Sequence, residues 1–129
     1  MPQRTVIIPD SLTANPAFSP AIQVGNLLFI SGQVSQDNAG NIVGVGDCEA
    51  QARNVMSRIS TIAEAAGCGM KDVVKITTFL TDIKDYPSFS KVRGETFPTT
   101  PPASSTVIVA GLVRREFVIE IEAIVNIPS

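Results

Sequence analysis

The sequence predicts one α+β domain over residues 1–129, a mainly antiparallel sheet of about six strands with two helices on one face. Three observations carry this. The predicted elements run β-β-β-α-β-α-β-β, and two helices cannot cover both faces of so wide a sheet. The last strand, Ile119–Val125, reads IEIEAIV. Strand side chains alternate, so Glu120 and Glu122 share one face while Phe117, Ile119, Ile121, Ala123 and Val125 share the other. Finally, hydrophobic residues make up 44% of the chain and charged residues 17%, which is more apolar than a small monomer needs. The open sheet face, where Val118 and Ile124 join the glutamates, is therefore expected to meet another subunit.

Thr5–Ile8 is a β-branched run stopped by Pro9, expected as an edge strand. Asn15–Pro20 is turn-rich. Ala21–Val24 and Leu27–Ser31 flank Gly25-Asn26 and read as a hairpin. Gly32, just beyond, suggests a bulge or a close backbone approach. Residues 37–46 form a Gly- and Asn-rich loop. A long helix follows, with Asp47 as its N-cap. Ala52, Val55, Ile59, Ile62 and Ala66 form its buried stripe, and Gln51, Arg53, Asn54, Ser57, Arg58, Thr61 and Glu64 its outer face. Gly67 falls where a left-handed C-terminal cap belongs.

Val73–Leu80 is apolar enough on both faces to predict a central, doubly covered strand. The second helix runs from about Tyr86 to Phe97, with Pro87 in its first turn and Phe89, Val92, Arg93 and Thr96 along its rows. Prolines 98, 101 and 102 end it. The stretch from Pro101 to Val125 then reads as a terminal hairpin of two long strands around a short basic turn, Arg114-Arg115.

Composition narrows the function. A net charge of −2 and a pI near 5.0 argue against a nucleic-acid partner. No apolar run reaches the ~18 residues of a membrane span, and the N-terminal residues do not read as a secretory signal. The expectation is a cytoplasmic protein with reduced cysteines. Histidine is absent, which removes Ser-His-Asp and Cys-His catalysis. Cys48 and Cys68 alone make no metal site and read as packing or surface thiols. No phosphate loop or dinucleotide fingerprint is present.

Proton transfer must then fall to a carboxylate, a lysine or Tyr86, the only tyrosine. Glu120 and Glu122 are the leading carboxylates, since burial in an apolar strand raises a carboxyl pKa into a useful range. The competing reading pairs them with Lys or Arg across a subunit contact. The hydroxyls of Ser104, Ser105 and Thr106 either bind an anion or satisfy themselves at a strand edge. Arg114-Arg115 reads as a solvated pair or a ligand clamp.

Several motifs in order along the chain resemble the Rid (YjgF) family: NLLFISGQ (26–33), EAAGCGMKDVVKITTFLTDIKDY (64–86), the Pro102-Ala103-Ser104-Ser105 segment, and IEIEAIV. The resemblance implies a chorismate-mutase-like fold of the bacillus type and a homotrimer with ligand clefts between subunits. It also implies cofactor-free hydrolysis of reactive enamines and imines, such as 2-aminoacrylate, to a keto acid and ammonia. Within it, Glu120 corresponds to the water-positioning glutamate, and Ser31 and Gly32 line the cleft. The family's carboxylate-binding arginine is replaced by Ser104, its cleft cysteine by Thr106, its pocket tyrosine by Phe18, and an amide side chain on the second helix by Ser90.

The expected function is thus a hydrolytic deaminase for an imine other than a small imino acid. The alternative is a non-catalytic trimer that binds a keto acid or related metabolite, or regulates a partner. A ribonuclease activity, also attached to the family by name, fits poorly with the acidic charge and the absence of histidine.

Overall fold

The computed structural model describes residues 3–12 and 15–129. Six strands form one sheet: β1 (Arg4–Ile7), β2 (Ala21–Val24), β3 (Leu27–Val34), β4 (Val73–Leu80), β5 (Ala103–Ile108) and β6 (Ile119–Asn126). Two helices, α1 (Cys48–Ala65) and α2 (Tyr86–Thr96), complete the fold. The strand order across the sheet is β1-β2-β3-β6-β4-β5. Every neighbouring pair is antiparallel except β4 and β5.

Local signals behave as their chemistry requires. The Asp47 carboxylate accepts the Ala50 N–H at 3.0 Å and starts α1. Gly67 closes it at φ +80° while the Cys68 N–H reaches back to Ala63 O. Along β6 burial alternates strictly, with Ile119, Ile121, Ala123 and Val125 packed beneath the helices against Ile59, Ile62 and Phe89. The opposite face carries no helix. Phe29 and Val107 lie on it, both over 40% exposed.

The terminal hairpin is not formed. β5 and β6 are separated by β4, which pairs with both, and residues 109–118 carry the chain across the sheet instead of making a short turn. The reason is visible in burial: β5 is almost wholly exposed and serves as an edge, while β6 has an apolar face that is stabilised by paired strands on both sides.

Two further expectations change. Gln51 lies not on the outer face of α1 but fully buried. Its amide donates to Glu116 O at 2.9 Å and Gly44 O at 3.1 Å and accepts the Val118 N–H at 3.0 Å, pinning the crossing loop. β4 is paired on both edges, but helices cover only its Ile76, Thr78 and Leu80 face; Thr77 and Phe79 stay half-buried and Val74 exposed.

Both cysteines are free and buried. Desolvation, reinforced by the nearby Asp85 and Asp47 charges, pushes the Cys48 thiol up to about 12. Such a thiol is inert near neutral pH.

Candidate functional site

The sheet register breaks once in β3, between Ile30 and Gln33 opposite β6. This bulge brings the backbone at Gly32 against the side chain of Glu120. A Cβ on residue 32 would collide with the Glu120 carboxylate, its carboxyl carbon lying 2.9 Å away. Glycine here permits the close approach of Glu120 and answers no unusual dihedral. Ser31 adds a second constraint. Its hydroxyl donates to Ser19 O at 2.6 Å and its N–H to Pro20 O at 2.9 Å, tying down the segment that presents Phe18.

Phe18, Ser31, Gly32, Glu120 and Glu122 together line an open groove of about 840 Å³, with Arg58 and Arg114 also on its walls. Glu120 is half-buried and Glu122 exposed. Among the described residues neither carboxylate is paired with a lysine or arginine in the chain. Burial, then the negative charge of Glu122, holds the Glu120 carboxyl above its ordinary range. A carboxylate with raised affinity for protons, open to a groove, can take a proton from water and return it to a leaving group.

The remaining predicted residues assemble elsewhere. In the parallel β4–β5 register Ser104 lies beside Ile76, on the helix face of the sheet, so the sheet itself separates it from Glu120. Ser104 and Ser90 meet around Arg93. Its guanidinium donates to Ser104 Oγ at 3.1 Å, Tyr86 Oη at 2.8 Å and Ser90 Oγ at 3.3 Å. Ser105 points to the open face and accepts from Lys75 Nζ at 2.9 Å. Thr106 sits beside Thr78, whose buried hydroxyl has no partner among the described residues.

One chain therefore holds two clusters, one on β3 and β6 and one on α2 and β5. Sequence reasoning placed Arg93 on a helical row and gave it no role. The signal was present: Tyr86, Phe89, Ser90 and Arg93 fall at spacings that share one helix face. Lys75 carried no such signal. The lining by Arg58 follows from its hold on the end of β3, through Gln33 Oε1 at 3.1 Å, and on the loop after it, through Gln36 O at 2.9 Å.

These elements define a chorismate-mutase-like α+β protein whose groove opens beside an uncovered sheet face. The model of the family described as Endoribonuclease L-PSP matches residues 9–127, and the chain belongs to this family, the Rid/YjgF proteins. A RutC family protein of Pyrococcus horikoshii is 40% identical over 107 residues, covering 83% of this chain and 84% of the relative. The crystal structure of the yeast protein YEO7 superposes with a TM-score of 0.91 at 33% identity, covering 98% of this chain and 100% of that one. That of RidA from an Antarctic Psychrobacter superposes at 0.88 with 35% identity, covering 95% and 99%.

Proposed function

We propose that this protein is a cytoplasmic, cofactor-free hydrolase that deaminates an enamine or imine other than a small imino acid, acting as a homotrimer. The observation that carries the reading is the unpaired, half-buried Glu120, its carboxyl held above the ordinary range and set against Gly32 in an open groove. Glu120 draws a proton from a water molecule as the oxygen attacks the C=N carbon. The π pair moves to nitrogen, which takes that proton from Glu120, giving a neutral carbinolamine. Collapse then forms C=O and breaks C–N as Glu120 takes the hydroxyl proton and passes it to the departing ammonia. The balance is one imine and one water in, one carbonyl compound and one ammonia out. An enamine joins by tautomerising first.

The trimer supplies the second half of the site. The clusters around Glu120 and Ser104 lie on opposite faces of one sheet, so a shared cleft requires two copies. The apolar open face, with Phe29 and Val107, favours such packing. An acidic chain offers little to RNA, despite the word endoribonuclease in the family description.

Ammonia release from imines generated in situ tests the reading. The wild type should release ammonia well above the uncatalysed rate, and Glu120→Ala should not. Equal release by both would refute it. Ser104, where the resemblance calls for an arginine, favours the second reading, a trimer that binds a metabolite without turnover or regulates a partner. Thermal stabilisation by keto acids with no ammonia release above the uncatalysed rate would select it.

A further inference from the structure

Arg93 is the basic residue on α2 that has no acidic partner. Its neighbours are accounted for: Arg53 pairs with Glu49 at 3.0 Å and with Glu95 at 2.8 Å, and Lys91 pairs with Glu49 at 3.3 Å. Arg93 turns the other way, toward β5, and among the described residues no carboxylate lies within salt-bridge distance. A half-buried cation without a counter-charge is held here only by neutral groups.

Those groups form an organised setting. The guanidinium carbon lies 4.9 Å from the centroid of the buried Phe89 ring and 5.6 Å from that of Tyr86. Both distances are within the range at which ring faces attract a cation. Three hydroxyls, on Tyr86, Ser90 and Ser104, accept its N–H groups. A hydroxyl that accepts from a cation keeps its own O–H proton to donate. Guanidinium has five N–H donors. One on Nη1 and the one on Nε therefore remain without a protein partner among the described residues.

We propose that Arg93, with the hydroxyls of Tyr86, Ser90 and Ser104, is a carboxylate-binding subsite that sets the specificity of this protein for acidic substrates. The inference rests on the reading above that this cluster faces a ligand in the assembled protein. In it, the positive charge comes from α2, and Ser104 orients that charge instead of supplying it. A carboxylate meets the free N–H donors and the polarised hydroxyls together. Arg93 is a positioning and specificity residue, distinct from the proton transfer at Glu120. The same guanidinium, by hydrogen bond first and charge second, holds the Tyr86 phenol below its ordinary range, which makes its O–H a better donor to an anion.

Calorimetric titration of the intact protein with 2-oxohexanoate and with its neutral amide tests the subsite. The wild type should bind the acid about tenfold or more tighter than the amide, the factor expected of a charge-assisted contact. Arg93→Met should remove that preference by weakening acid binding far more than amide binding, and Arg93→Lys should keep part of it. Ser104→Ala should weaken acid binding a few-fold. A wild type that binds both ligands alike, or an Arg93→Met variant that keeps the preference, overturns the subsite. Should Arg93→Met not fold, Arg93→Lys and Ser104→Ala decide: full retention of the preference in both overturns it. Parallel ammonia assays separate the two proposals. An acid preference lost with Arg93 but without turnover supports the subsite and removes the hydrolase. Turnover indifferent to the carboxylate does the reverse.

Discussion

The carboxylate of Glu120 and the backbone of Gly32 occupy adjoining space, so that residue 32 has no room for a Cβ while the glutamate holds its position. A β-bulge in one strand thereby positions an acidic side chain on its neighbour.

Gly32→Ala should accordingly damage function more than stability. The colliding atoms are the far end of a flexible side chain, so Glu120 can swing away at a cost below about 1 kcal/mol, less than typical core overpacking. Ammonia release should fall nearly as far as in Glu120→Ala, while the urea midpoint stays close to wild type. A variant with full activity would show that the contact has no functional consequence.

Glu120→Gln should stabilise the fold at neutral pH. Because the folded-state pKa is raised, the folded protein holds the proton more tightly than the unfolded chain. The resulting penalty is absent below the unfolded pKa and reaches its full size above the raised folded value. The variant should melt higher than wild type at pH 7 and show little difference near pH 3. Melting curves across that range check the sign.

Gln51→Ala should be among the more damaging substitutions outside the groove. It strips the Gln51 partner from the Val118 N–H and from the carbonyl of the exposed Glu116, while the Gly44 carbonyl keeps the Asp47 N–H. At about 1–3 kcal/mol for a group left unpaired, a loss of that order is expected in denaturant unfolding. Asp47→Ala, which removes only the α1 cap, should cost about 1 kcal/mol.

Phe29→Asp should separate the proposed trimer into monomers. The ring lies on the uncovered face, 42% exposed in the single chain, and an aspartate there would carry its charge into any subunit contact. Sedimentation velocity should show one-chain mass with helical circular dichroism retained. Undiminished assembly would place the contact elsewhere.

How much of this was legible beforehand varies by element. Asp47, Gly67 and the bulge at Gly32 could be read because each answers a local backbone need: a cap, a left-handed residue, a close approach. The alternation of β6 placed Glu120 and Glu122 on one face for the same reason. The terminal hairpin failed because strand pairing is a competition among all strands, and sequence adjacency is only one competitor. β4 outcompeted β5 for the edge of β6. Gln51 was misplaced because a polar residue on a helix is assigned outward by pattern, whereas three partners, one in the loop before α1 and two in the distant crossing loop, make its burial favourable.

By itself, then, the sequence determined the inventory: the strands and helices, the face on which the glutamates lie, and the family. Those depend on periodicity, capping and motif, all of which act over a few residues. The tertiary structure decided what stands beside what. It put β4 between the last two strands, left Ser104 and Glu120 on opposite faces, and brought Arg93 of α2 to Ser104 of β5. Contacts between elements depend on which packing buries the most apolar area with every polar group satisfied, and that balance is struck only when the whole chain is folded.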